Sequence, residues 1–176
     1  MRYGNRGDGL IYMAGLKDVI DYKYEVINAI ANSQEIMGLM FDNPNIDMDD
    51  DLVYNVRNDN LVDHSFTDDT WTAEKTAIFV ECKMTDLQTV TVKEMAIVIQ
   101  IISPNGYIKL DRMKFKKRKG NRNDNIAVAV ANLLDGADCG NIGSTIGEIQ
   151  LVESAPVAAP NGFSSVQLVF ESENFR

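Results

Sequence analysis

The sequence contains little of what most catalytic and metal-binding sites are built from. Its 176 residues include one histidine, two cysteines and four prolines. A single histidine excludes a site within this chain that needs two imidazole ligands, and two cysteines exclude a thiolate-rich zinc cluster. We therefore expect no metal and no cofactor. Because no apolar run approaches the roughly 20 residues of a membrane span, we also expect no membrane contact.

Charge is plentiful but unevenly placed. Asp and Glu number 26 against 17 Lys and Arg, a net charge of −9. That balance argues against general affinity for nucleic-acid backbones, whose binding depends on cations. Seven of the 17 cations nevertheless fall within residues 112–122, and nine aspartates fall within residues 42–70. The candidate contact residues are therefore Arg112, Lys114, Lys116, Lys117, Arg118, Lys119 and Arg122 on the basic side, and Asp47, Asp49, Asp50 and Asp51 on the acidic side.

The basic stretch has three interpretations. It contacts nucleic acid or another acidic partner, or it is the solvated end of a hairpin, or it contacts the acidic stretch of a neighbouring copy. In the third case two different surfaces meet between copies, and such a contact closes a ring when it is repeated with rotation.

The apolar pattern predicts a Gly-rich arm at residues 1–13, followed by a single α+β domain at 14–176. The predicted domain is a mostly antiparallel sheet packed by an N-terminal helix pair and by a second helix before the last strands, in the order α-β-β-β-α-β. The predicted helices cover residues 16–31 and 33–41, the second capped by Ser33, and a stretch that begins at a capping Asp124 and stops at Gly136.

The predicted strands follow from apolar runs and turn residues. They cover residues 52–56, 76–84, 90–103, 147–152 and 165–170. The apolar run at 96–102 predicts a central strand covered on both faces. Asn105-Gly106 predicts a hairpin whose return begins at 107–110, and Pro156 and Pro160 predict an extended loop.

Motifs for catalysis are few. His64 stands between Asp63 and Ser65, but triad members converge from separated positions, so a solvated loop side chain is the better interpretation. The alternation of Asp47, Asp49 and Asp51 is typical of an EF-hand loop, yet the glycine at the sixth position and the acid at the twelfth are absent. Cys82 is expected to be a buried strand residue, Cys139 lies in a Gly-rich turn, and no disulfide is expected between them.

One enzymatic alternative remains. Glu81-Cys82-Lys83 places a carboxylate and an amine on one face of a strand. With Asp68 or Asp69 upstream and Glu25 or Glu35 from a helix, this resembles the metal site of the PD-(D/E)xK nucleases. The competing interpretation is a cross-strand charge pattern on a half-exposed strand.

The order of elements over residues 14–176 resembles the tail-terminator and tail-completion proteins of the phage neck. The features that carry the resemblance are the leading helix pair, Leu52-Val53-Tyr54, the two long strands, the basic stretch, the helix Asn125-Ile126-Ala127-Val128-Ala129-Val130, the step Leu133-Leu134-Asp135-Gly136, the strand Ile146-Gly147-Glu148-Ile149-Gln150-Leu151, and Phe170 with the final Asn174-Phe175-Arg176. The arm at 1–13 and the long loop at 57–70 depart from the pattern.

The resemblance implies a structural protein and not an enzyme. It implies a ring, commonly of six copies, located in the virion neck and assembled in the host cytoplasm. The ring would sit on the tail tube protein, end tube polymerisation and face the head connector or its adaptor proteins. DNA would pass through the lumen without specific binding, which an acidic lining favours. A connector adaptor or another neck component is the alternative within the same class.

Overall fold

The computed structural model describes residues 16–64, 74–86, 93–136 and 149–175. The elements are α1 Leu16–Ala31, α2 Gln34–Met40, α3 Asp50–Asp59, β1 Leu61–Val62, β2 Ala77–Asp86, β3 Lys93–Pro104, α4 Arg122–Leu134, β4 Ile149–Val157 and β5 Phe163–Phe175. This content confirms the α+β prediction. Within these ranges no helix is long and apolar enough to cross a membrane. The predicted arm at residues 1–13 lies outside the described ranges.

The strands form a five-stranded sheet in the order β1-β2-β3-β5-β4. β1 runs parallel to β2, and the other neighbouring pairs are antiparallel. The predicted antiparallel character is therefore confirmed. β3 lies in the centre, where Ile97, Ile99 and Ile101 are fully buried on one face and Ala96 and Ile102 are buried on the other. The apolar run at 96–102 thus marks a central strand, as predicted, but only one face is fully covered, since Val98 and Gln100 on the other face are half-buried.

The helices cover one face of this sheet. α1 packs against β2, and α4 packs across β3, β5 and β4. Val26 and Ile30 of α1 and Val130 of α4 join Ile99 and Phe170 of the sheet in the main core cluster. Because side chains alternate along a strand, each strand gives every second residue to this core. On the opposite face a smaller cluster joins Ala77, Phe79 and Ile102.

The predicted strand at residues 52–56 is wrong, because this stretch is part of α3. Asp49 is the N-cap of the helix, and its side chain accepts a hydrogen bond from the Leu52 amide at 2.7 Å. Leu52, Val53 and Val56 recur at helical spacing and face the core. The capping aspartate and this spacing outweigh the strand preference of the valines.

Two further strand predictions also differ from the structure. The turn at Asn105-Gly106 forms, with the Tyr107 amide bonded to the Pro104 carbonyl, but residues 107–110 do not return as a strand. Their carbonyl groups instead accept hydrogen bonds from Arg122, as described below. Pro156 was predicted to lie in a loop, but it is part of β4. β4 is an edge strand, where a residue without an amide hydrogen is tolerated.

The helix boundaries match the predictions more closely. α1 covers the predicted residues, and Ser33 caps α2 through the Ile36 amide. The N-cap of α4 is Asn121 and not Asp124, whose carboxylate instead completes a capping box from the third position of the helix. Gly136 follows the end of α4 with a φ of 66°, which satisfies the expectation of a glycine stop.

Gly38 lies inside α2, and we predict that Gly38→Ala destabilises the protein. A helical glycine replaced by alanine ordinarily stabilises. Here the added Cβ would lie 3.0 Å from the Asn43 carbonyl oxygen and 3.3 Å from the Pro44 Cα. Since both neighbours are backbone atoms, we expect overpacking to lower the free energy of unfolding by about 1 kcal/mol.

Urea denaturation measures this change. Gly106→Ala is the matched control, because its Cβ would meet nothing within 4 Å. A Gly38→Ala protein as stable as the wild type would show that the backbone of residues 43–44 shifts without a cost in free energy, and it would contradict the prediction.

Candidate functional site

Arg122 lies in the first turn of α4 and joins four parts of the fold, although its side chain is only 2% exposed. Its Nε donates to the Tyr107 carbonyl oxygen at 2.8 Å, and Nη1 donates to the Leu39 carbonyl oxygen. Nη2 donates to Asp42 Oδ1 at 2.8 Å and to the Lys109 carbonyl oxygen at 3.3 Å. The guanidinium also lies 4.1 Å from the centre of the Tyr107 ring. A buried cation is tolerated when its donors are satisfied in this way.

Asp42 receives two of the cations. It has a φ of 57°, in the left-handed region that aspartate and asparagine adopt more readily than most residues. Its Oδ1 pairs with Arg122 and its Oδ2 with Lys114 Nζ, at 2.8 and 2.6 Å. Partial burial acts to raise the pKa of Asp42, but the hydrogen bonds from Lys114 and Arg122 outweigh it and lower that pKa. The hydrogen bond to Asp42 in turn raises the pKa of Lys114.

The basic segment, residues 112–122, has a defined shape without being a strand. Asp111 Oδ1 accepts a hydrogen bond from the Met113 amide at 2.8 Å, and the Asp111 carbonyl accepts one from the Phe115 amide. The Phe115 side chain is buried in the main core cluster. Near the far end, Asn125 Nδ2 donates to the Lys119 carbonyl at 2.8 Å. The segment is thus anchored through one aromatic side chain and by bonds at both ends.

The seven predicted basic contact residues separate into two groups. Arg122 is buried, so it is an internal residue and not part of an exposed partner surface, which corrects its assignment. Lys114 pairs with Asp42, and Arg118 pairs with Glu35 of α2. The remaining four are exposed and make no ion pair within the described ranges: Arg112, Lys116, Lys117 and Lys119.

The four predicted acidic contact residues lie at or just before the start of α3. Asp49 is the N-cap, while Asp50 and Asp51 occupy the first turn, where the helix dipole favours negative charge. Asp47 precedes them, and all four are exposed. Among the described residues, no three or more histidine, cysteine, aspartate or glutamate side chains are grouped so as to hold a metal ion. The helix start therefore gives a structural reason for the aspartate run.

Three of the carboxylates named for the nuclease alternative belong to the described residues, and these three, Glu25, Glu35 and Glu81, do not come together. Glu81 Oε2 pairs with Lys83 Nζ at 3.1 Å. Both side chains lie on the face of the sheet that the helices do not cover, whereas Val80, which precedes Glu81 in sequence, faces the helices. Glu25 belongs to α1, which packs on that helix-covered face. Glu35 belongs to α2 and pairs with Arg118. Asp68 and Asp69 lie outside the described residues.

His64 and Cys82 occupy positions of other kinds. The His64 side chain is 66% exposed, with Nδ1 3.3 Å from Asp63 Oδ1, and its ring meets the Phe79 ring edge-on. Cys82 is a free thiol, and burial raises its pKa to about 12. Cys82 is therefore protonated at neutral pH, unlike a nucleophilic cysteine. Cys139 lies outside the described residues.

Asp42 and Glu35, the partners of the basic segment, were not predicted from the sequence. Asp42 lies 80 residues before Arg122, and Glu35 lies 83 residues before Arg118. A signal does exist for Asp42, because it precedes Asn43-Pro44 at the end of a helix, where a left-handed residue is common.

Comparison with known proteins identifies the family. The YomW family model matches residues 33–172. This chain belongs to the YomW family. No curated protein matches it. The part shared with the YomW family begins just before α2 and includes α3, the basic segment, α4 and almost all of β5. Asp42, Lys114 and Arg122 therefore lie inside the YomW match, whereas α1 lies before it.

We predict that Asp42→Asn removes a stability contribution that depends on pH. Because the folded-state pKa of Asp42 is lowered, the contribution is present above the ordinary value of 3.8 and is lost as pH falls through the folded pKa. Asparagine keeps the shape and tolerates the left-handed backbone. We expect a loss of about 1–2 kcal/mol at pH 7, and a difference from wild type that shrinks as pH falls below 3.8.

Urea unfolding in a pH series that starts at 7 and continues well below 3.8 measures both values. Asp47→Asn, which removes an exposed carboxylate outside this pair, is the control. A difference between Asp42→Asn and wild type that stays constant across this range would contradict a role for the charge.

Proposed function

We propose that this protein is a structural component of the phage neck that assembles into a ring between the head connector and the tail tube. In this proposal it ends tail polymerisation and joins head to tail, and it acts by assembly and not by catalysis. The ring has about six copies. Its partners are further copies of itself, the tail tube protein and the connector or adaptor proteins.

The observation that carries the proposal is the group of four exposed cations on a chain of net charge −9. Arg112, Lys116, Lys117 and Lys119 have no partner within the described ranges, although neighbouring cations of the same segment are paired internally. The buried Phe115 holds the segment in place, so the four charges are presented on an ordered surface. Ordered charge of this kind steers association and fixes register between partners.

The complementary surface is the start of α3. Asp50 and Asp51 are exposed and make no ion pair in the described structure, and Asp47 lies beside them in sequence. In the proposed ring the basic segment of one copy meets these aspartates on the next copy. Two different surfaces are then used at every contact, which is the arrangement that closes a ring.

The acidic character of the chain also suits a channel for DNA. A duplex carries dense negative charge, so an acidic lining keeps it from binding as it passes. We therefore place the protein in the virion neck, assembled in the host cytoplasm. A connector adaptor or another neck component would use the same charged surfaces, and the number of copies in the ring would help to distinguish these components.

We predict that Lys116→Glu with Lys117→Glu lowers the oligomeric mass of the purified protein. The reversed charges would face Asp50 and Asp51 of the neighbouring copy, and like charges repel. Adding Asp50→Lys and Asp51→Lys to the same chain restores opposite signs, so we expect the oligomer to return. Sedimentation velocity at low and moderate salt measures the mass.

Lys75→Glu with Lys109→Glu is the matched control, since it changes the net charge equally at two exposed lysines outside the basic segment that make no ion pair in the described structure. A wild-type chain that remains a monomer at high concentration, and forms no ring on added tail tubes, would refute the proposal. Rings that are unaffected by the reversal at 116 and 117 would refute this interface alone.

A further inference from the structure

A groove of about 530 Å³ lies between α1, α3 and β1. It forms where α3 ends at Asp59 and the chain turns into β1 beside β2. Apolar, aromatic, amide and charged side chains share its surface. The lining residues used below are Tyr24 and Ile27 of α1, Tyr54 and Arg57 of α3, Leu61 of β1, and Asp63.

Arg57 is the unusual residue of this groove. It is half-buried, and its Nε is shielded from solvent without a hydrogen-bond partner. Its guanidinium makes no ion pair or hydrogen bond with any described residue. The end of α3 favours a cation at this place through the helix dipole, but the dipole supplies no acceptor for Nε. A buried donor of this strength is ordinarily satisfied, so the missing partner points to an acceptor from outside.

The walls of the groove favour an extended chain. Tyr24 and Tyr54 come from different helices, and their side chains are 54% and 68% exposed. Ile27 and Leu61 line the same groove and are buried. Exposed tyrosines above an apolar floor offer contact area and hydroxyl groups together, a combination enriched where proteins bind other chains.

The charges of the groove distinguish between anions. Asp63 lines the groove, and its backbone carbonyl accepts a hydrogen bond from Lys23 Nζ at 2.5 Å. Arg57 is the only arginine or lysine among the described lining residues, and Lys23, which is not part of the lining, reaches the groove through Asp63. Together with the Asp63 carboxylate these charges suit a ligand that carries a single negative charge. A nucleic-acid backbone needs several cations in a row, and the acidic first turn of the same helix disfavours it. A planar guanidinium pairs with a carboxylate through two parallel hydrogen bonds.

We propose that this groove binds a carboxylate carried by an extended segment of a protein partner, with Arg57 as its anchor. The carboxylate is either an aspartate or glutamate side chain or the carboxyl terminus of the partner. Tyr24 and Tyr54 hold the residues beside it. The groove is lined by none of the residues of the basic segment, so the inference stands independently of the proposed ring.

Titration of the full chain by NMR tests the inference with three probes. N-acetylphenylalanine presents a terminal carboxylate, acetyl-Phe-Glu-Phe-amide presents a side-chain carboxylate, and N-acetylphenylalanine amide presents none. We expect at least one carboxylate probe to shift the Arg57 and Asn58 amide signals, and the amide probe to leave them unchanged. The tighter of the two carboxylate probes identifies the source.

Arg57→Gln should raise the Kd of that probe about tenfold or more, whereas Arg112→Gln, at an exposed arginine outside the groove, should leave it unchanged. Tyr54→Ala, at the exposed rim, should weaken binding without disturbing the core, which keeps the test valid if Arg57→Gln does not fold. Equal binding of the amide probe, no binding of either carboxylate, or tighter binding of phenyl phosphate would overturn the inference.

Discussion

The ion pair between the buried Arg122 and the half-buried Asp42 is the constraint on which the arrangement of this protein depends. The guanidinium of Arg122 reaches the end of α2, the turn that follows α2, and the loop after β3. Arg122 itself belongs to α4, the helix that packs across the sheet. A cation this deeply buried is stable only when every partner is in place, so these parts of the chain order together. The left-handed backbone of Asp42 and the absence of a side chain at Gly38 both serve the same turn.

That constraint also sorts the charges of the basic segment. Three of its cations are paired inside the chain, by Asp42 and by Glu35, and they hold the segment against α2. The other four are left on the surface of a protein whose total charge is strongly negative. The division explains how a short irregular segment presents an ordered basic surface, and it is the physical basis of the proposed assembly. The match to the YomW family includes both the paired and the exposed cations, because it covers α2, the basic segment and α4.

Much of the fold follows from local signals. The apolar run of β3, the periodicity of α1, the Ser33 cap and the Gly136 stop each act within a few residues, and each was predictable. The strand predicted at residues 52–56 was wrong because Leu52, Val53 and Val56 suit a strand as well as a helix, and the cap at Asp49 together with their helical spacing decides between them. The burial of Arg122 was not predictable from neighbours in sequence, because its carboxylate lies 80 positions away. The groove at Arg57 was missed for a related reason, since it exists only once α3 is a helix that ends beside β1.

A double-mutant cycle between Arg122 and Asp42 tests this account most directly. Arg122→Leu, Asp42→Asn and the double variant are unfolded in urea at pH 7, and the coupling free energy is calculated from the three changes. The account predicts a coupling of about 2 kcal/mol, because Asp42→Asn leaves the buried Arg122 without its carboxylate and Arg122→Leu leaves the half-buried Asp42 with Lys114 alone. Additive effects, with a coupling below about 0.5 kcal/mol, would show that the two residues stabilise the fold independently and would contradict it.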